Sequence, residues 1–266
     1  MKEYFDNLLK LMYEKKASDL HIKSNAHPIF RINERLIPFR DYEKHDPEKI
    51  SKIAEAVLGK KDFEVLQDEK EIDLAYSLSK TGRYRINMYY QRGSIVIAVR
   101  LITLTVPEFD NLSLPPVLKK LSDRQNGLIL VTGTTGCGKS TTLASLINHV
   151  NSTKNVNIIS IEDPIEYLHQ DKLSIVNQRE IGIDTKNFHT ALRYLLRQDP
   201  DVILIGEIRD VESMQVALGA ADTGHLVFST LHTTDARQTI ERIINFFPVE
   251  SGNNVRLHLS LNLVAV

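Results

Sequence analysis

The 266-residue sequence predicts an α/β fold, a mostly parallel sheet with its helices, preceded by a smaller α+β domain. Three observations carry that prediction. From Leu128 onward, short apolar runs alternate with helical stretches, the pattern of βαβ units. Before residue 105, segments of alternating polarity follow one another through tight turns, the pattern of an antiparallel meander. Where the first strand of the later part gives way to its first helix lies Gly133-Thr134-Thr135-Gly136-Cys137-Gly138-Lys139-Ser140, a match to G-x-x-x-x-G-K-[ST] at every fixed position.

In chain order, Phe5, Leu8, Leu9 and Met12 mark the buried stripe of a first helix, with Lys2, Glu3, Lys10 and Glu14 left to solvent. Asp19-Leu20-His21-Ile22 and Pro28 to Ile32 read as short strands, the second turned by Asn33-Glu34. Asp46 is a helix cap with Pro47 in the first position, Ile50, Ile53, Ala54 and Val57 form the buried face, and Gly59 is placed to end the helix. Asp68-Glu69-Lys70-Glu71 reads as a solvated mixed-charge turn. Ile72 to Leu78 and Tyr84 to Tyr90 alternate around Ser79-Lys80-Thr81-Gly82, and Arg92-Gly93 leads into a third strand, Ser94 to Leu104. Prolines 107, 115 and 116 punctuate a linker over 105–116. Beyond it, strands are expected at 128–132, 156–161, 202–206 and 226–230, and helices at 140–150, 188–197, 211–222 and 236–246. Asp235 and Gln238 have the spacing of a capping box for the last helix.

The glycine-rich octapeptide has a specific chemistry. Glycines let successive backbone N–H groups turn inward toward phosphate oxygens. Lys139 adds a positive charge at the β- and γ-phosphates, and the Ser140 hydroxyl suits Mg²⁺. The following helix presents its positive N-terminal end to the same anion. Gly133 to Thr141 is therefore the candidate ATP-binding loop, with Cys137 at one of its free positions.

Composition narrows the function classes. A net charge of −1, a pI of 6.8 and the absence of Trp argue against a nucleic-acid partner, which would favour a basic stripe with interleaved aromatics. One cysteine excludes an intrachain disulfide and a cysteine-built zinc site, and suits a reducing cytosol. No stretch approaches the roughly 20 apolar residues of a membrane span, and no secretory signal core opens the chain.

Ligands of open parallel sheets sit beyond the carboxyl ends of the strands. Glu162 follows Ile158 to Ile161, Glu207 follows Val202 to Gly206, and His225 and His232 flank Leu226 to Leu231. Hydrolysis of ATP needs a carboxylate to polarise the attacking water and a further group to hold Mg²⁺. Glu162 and Glu207 are candidates for both, although strand-end acids also cap helices. In the earlier domain, Arg83, Arg85, Arg92 and Arg100 form either a solvated strand face or a source of γ-phosphate ligands, since the guanidinium fork binds phosphate bidentately.

Taken together, these stretches resemble the secretion/type IV pilus (GspE/PilT-like) ATPase family, most closely its pilus-retraction branch. The matching segments are Ala17 to His21, Gly133 to Thr142, Ile161 to Glu166, Asp199 to Asp210 and Thr223 to Thr233, with Val176-Asn177-Gln178-Arg179-Glu180 also similar. The resemblance implies a PAS-like domain over 1–104, a linker over 105–116 and a RecA-like P-loop core over 117–266, with ATP between the domains. It implies a cytoplasmic homohexamer, peripheral to the inner membrane through a pilus platform protein, whose closure cycles withdraw pilin. It implies roles for Glu207 and Glu162 in water activation and Mg²⁺ binding, for His232 and His225 at the nucleotide, and for arginines such as Arg85 and Arg100 in neutralising transition-state charge. The family domain is expected to continue past Val266. Other members of the same family, serving pilus assembly, type II secretion or competence, remain alternatives, as does a nucleotide-binding partner subunit.

Overall fold

A computed structural model describes residues 1–79, 81–102 and 106–266. The chain divides after Leu104 into two compact units, each with its own sheet and core. Lys80 and residues 103–105, which fall in the expected hairpin, third strand and linker, lie outside the described residues.

The first unit is a six-stranded antiparallel sheet in the order β3-β2-β1-β6-β5-β4. Its strands are β1 (Asp19–Ile22), β2 (Ile29–Ile32), β3 (Arg35–Pro38), β4 (Glu71–Leu78), β5 (Gly82–Gln91) and β6 (Ser94–Ile102). Helices α1 (Lys2–Glu14) and α2 (Pro47–Glu69) contribute Phe5, Leu8, Leu9, Met12, Ile50 and Ile53 to one core with Leu20, Tyr84, Ile86 and Ile97 of the sheet. Asp46 caps α2 as expected, its side chain accepting from Lys49 N at 2.7 Å. Gly59 does leave helical geometry (φ 74, ψ 173), but a second helical stretch follows, so Asp68 and Glu69 end a helix instead of forming a turn. Arg92 and Gly93 both take positive φ between the paired residues Gln91 and Ser94, the two-residue turn that matches strand twist.

The sheet's other face carries charge. Arg31, Asp19, Arg100 and Arg85 stand directly opposite one another across β2, β1, β6 and β5. Asp19 accepts from Arg100 at 2.9 Å and lies 3.4 Å from Arg31, while Arg85 pairs with Asp73 at 3.4 Å.

The second unit is an all-parallel sheet in the order β12-β7-β11-β10-β8-β9. Its strands are β7 (Gly127–Thr132), β8 (Asn157–Glu162), β9 (Ile175–Glu180), β10 (Val202–Ile205), β11 (Leu226–Leu231) and β12 (Leu263–Ala265). Its helices are α3 (Val117–Ser122), α4 (Lys139–Thr153), α5 (Phe188–Leu195), α6 (Val211–Asp222), α7 (Ala236–Phe246) and α8 (Gly252–Asn262). Strand residues alternate between two cores. Leu128, Leu130, Ile203, Ile205 and Val227 pack with α5, α6 and α8, while Ile129, Ile158, Leu204 and Phe228 pack with α4. Burial on both faces is why these strands read as unbroken apolar runs. In the segment before α3, Phe109 is buried against this second core. At α7, Asp235 accepts from Gln238 N at 2.8 Å, but the Gln238 side chain accepts from Thr234 instead of completing the box.

Candidate active site

Strand β7 ends at Thr132, helix α4 begins at Lys139, and the six residues between them form a loop. Gly133, Gly136 and Gly138 have φ of 150°, 79° and 98°, a conformation side chains resist, and a Cβ at Gly133 would collide with Cys137 Sγ. The glycine spacing therefore encodes the curl of the loop. Lys139 Nζ donates to the carbonyls of Gly133 and Thr134, both at 2.9 Å, so the ammonium is held over the loop.

A cavity of about 590 Å³ opens beside the loop, at the carboxyl ends of β7, β8, β10 and β11. Of the residues singled out from sequence, Thr135, Gly136, Gly138, Lys139, Ser140 and Thr141 line it, and so do Glu162, Glu207 and His232. Gly133, Thr134 and Cys137 belong to the loop but not to this lining. His225 stands apart, at the start of β11, where Nδ1 is 2.9 Å from Ala220 O and the carbonyl accepts from Gly127 N. It precedes its strand, so it sits at the end of the sheet opposite the loop. Arg85 and Arg100 belong to the first unit, with the acidic partners given above.

The two glutamates differ in surroundings. Glu162 ends β8, and its Oε1 accepts from Ser160 Oγ at 2.6 Å and Gln178 Nε2 at 3.0 Å. Burial pushes this carboxyl above the usual range, partly offset by those two hydrogen bonds. Glu207 faces an arginine and a histidine: Arg209 lies on Oε2 at 2.8 Å through two nitrogens, and His232 Nε2 is 3.5 Å from Oε1. The Glu207 hydrogen bond raises the Arg209 pKa in turn. Gly206, just before Glu207, packs against Ile161 O and Glu162 Cα so closely that a Cβ would lie 3.2–3.3 Å from both. Thr230 Oγ1 donates to Gly206 O at 2.7 Å. Asp210, three residues after Glu207, is a helix cap, accepting from Ser213 N at 2.8 Å.

Sequence reasoning gave no role to Arg209, Thr230 or Gln178, although each falls in a segment that carries the family resemblance. Their contacts depend on strand register and rotamer, which carry no periodic signal. Gly-Glu-Ile-Arg does hold one readable hint, a cation two residues from a strand-end acid.

His169 also lines the cavity, and burial, with Lys172 nearby, pushes its imidazole down to about 4 from 6.5. The unfolded chain therefore binds that proton more readily between those values. The stabilisation from a neutral ring is complete above about pH 6.5 and lost as pH falls toward about 4, up to about 3 kcal/mol. The thermal midpoint is expected to drop across this window, and less steeply in His169→Gln. Equal slopes in the two proteins would exclude His169 as the cause.

A parallel sheet with this loop between strand β7 and helix α4, and acids at the ends of neighbouring strands, is the architecture of a P-loop ATPase. The chain belongs to the family described as type II/IV secretion system protein, whose model matches residues 1–265. It is 42% identical over 262 residues to the type IV pilus ATPase PilU of Pseudomonas aeruginosa, covering 98% of this chain and 68% of that one. It is 40% identical over 261 residues to the type IV pilus retraction ATPase PilT of the same organism, covering 97% and 75%. Among solved structures it is similar to the pilus retraction motor PilT with bound ADP, at 47% identity and a TM-score of 0.92, covering 97% of this chain and 75% of that one. Among the described residues no helix is long and apolar enough to cross a membrane.

Proposed function

We propose that this chain is the subunit of an ATP-driven pilus-retraction motor. The observation that carries the reading is the convergence of Lys139, Ser140, Glu162, Glu207 and His232 on one cavity at the strand ends. The likeness to PilT supports assigning the work to retraction. The loop N–H groups and Lys139 bind the triphosphate. Glu162 polarises the attacking water, because a carboxylate held by neutral donors in a buried setting is the better base. Ser140 and Glu207 are the oxygen donors suited to Mg²⁺, which neutralises phosphate charge when bound. His232 reads the γ-phosphate beside Glu207. Arg85 and Arg100 serve transition-state charge, the use for which arginine is built. The motor works as a homohexamer on the cytoplasmic side of the inner membrane, through a platform protein, and withdraws pilin.

Steady-state phosphate release and mass in solution, each with and without ATP and Mg²⁺, test this together. The expected result is Mg²⁺-dependent turnover by a species six times the 30.3 kDa chain. A monomer that never hydrolyses ATP under either condition would overturn it.

A further inference from the structure

The segment Val176-Asn177-Gln178-Arg179-Glu180 folds as the edge strand β9, and Gln178 there faces Ser160 across the parallel ladder. The Gln178 side chain makes three hydrogen bonds. Its Nε2 donates to Glu162 Oε1 at 3.0 Å and to Tyr167 O at 2.9 Å, and its Oε1 accepts from His169 N at 2.8 Å. Both amide protons and a carbonyl lone pair are used. Flipping the amide would set oxygen against two acceptors and nitrogen against a donor, so the contacts define its orientation. Ser160 and Gln178, neighbours on adjacent strands, thus converge on one oxygen of Glu162. The segment 163–169 is clasped at two backbone groups by the same amide. That segment continues to the phosphate loop, because Tyr167 OH lies 3.0 Å from Thr141 Oγ1 in the first turn of α4.

We propose that Gln178 is a positioning residue for ATP hydrolysis, holding the Glu162 carboxylate and the 163–169 segment in one fixed relation. The inference rests on the reading of Glu162 as the residue that acts on water. Gln178 is not among the residues that line the cavity. It acts through Glu162, and its worth is geometric: a base displaced by about 1 Å loses on the order of 10²-fold in rate.

The experiment compares Gln178→Met, which keeps length and loses both donors, with Gln178→Glu, which keeps the acceptor toward His169 and loses the donor toward Glu162. Phosphate release is followed at steady state over a range of ATP concentrations, and binding by titration with a fluorescent ADP analogue. The expected result is a fall in kcat of about 10- to 100-fold in both variants with KM and analogue affinity within about threefold of wild type. In a Glu162→Gln background, Gln178→Met is expected to cost nothing more, since no carboxylate remains to position. An undiminished loss in that background, an unchanged kcat, or analogue binding that falls in step with kcat each overturns the inference. Wild-type turnover in Glu162→Gln alone overturns the reading of Glu162 and this inference with it, which separates the two failures.

Discussion

Lys139→Ala is expected to abolish turnover while leaving the fold intact. The side chain leaves the first residue of α4 and turns back over its own loop, where it contacts two loop carbonyls and supports no core packing. Removing it deletes the one lysine that lines the cavity among the described residues, and with it the charge proposed to face the β- and γ-phosphates. Glycine curvature and the N-terminal end of α4 remain, so residual affinity for nucleotide persists, but the phosphoryl group is left without its neutralising partner in the transition state. Loss of turnover by about 10³-fold or more follows if electrostatic stabilisation of the transferred group dominates, as it does in phosphoryl transfer generally. The variant's circular dichroism and thermal midpoint are expected to match the parent. Parent-like hydrolysis in Lys139→Ala would mean that ATP is bound elsewhere.

The second large effect separates the two acids. Glu162→Gln retains size and loses the charge proposed to orient water, so kcat should fall by at least about 10²-fold, a common general-base contribution. ATP binding should survive, because the loop is untouched. Glu207→Gln should fall comparably, with a different signature. Its carboxylate is shared by Arg209 and His232, and neutralising it leaves the Arg209 guanidinium without its acid beside the proposed Mg²⁺ position. The Mg²⁺ concentration needed for half-maximal rate is expected to rise in Glu207→Gln and stay put in Glu162→Gln. If the Mg²⁺ requirement moves in Glu162→Gln instead, the two roles exchange.

How much of this was legible in the sequence depended on how locally each feature is determined. The phosphate loop was fully legible, because its geometry follows from glycines at fixed offsets next to an apolar strand. The inner strands of the second sheet were legible because burial on both faces leaves a run of Ile, Leu and Val. Strand β9 was not: Asn177, Gln178 and Arg179 give an edge strand no apolar alternation. Strand β3 escaped for a related reason, since all four of its residues are exposed. The helical stretch after Gly59 was missed because a glycine able to stop a helix also serves as a kink between two. At the site, Glu162 and Glu207 could be located as acids following apolar strands. What could not be read was their difference, one beneath neutral donors and the other against an arginine, because Gln178 reaches Glu162 only through the pairing of β8 with β9, and the Arg209 contact turns on rotamers. His225 was grouped with His232 at the nucleotide on the family resemblance alone, whereas the two stand seven residues apart at opposite ends of β11.

Strand β11 is buried at every residue and hydrogen-bonded on both sides, to β7 that carries the phosphate loop and to β10 that leads to Glu207. Local fluctuations seldom expose the amides of such a strand to solvent, and its exchange with deuterium is governed by opening of the whole domain. The frame that sets the distance between loop and acid therefore sits at the top of the domain's stability scale, while the loop itself, exposed from Thr134 to Gly138, sits near the bottom. Thermal motion at the site is thus partitioned: the phosphate-binding turn is free to breathe, and the baseline it breathes against is renewed only as often as the domain unfolds.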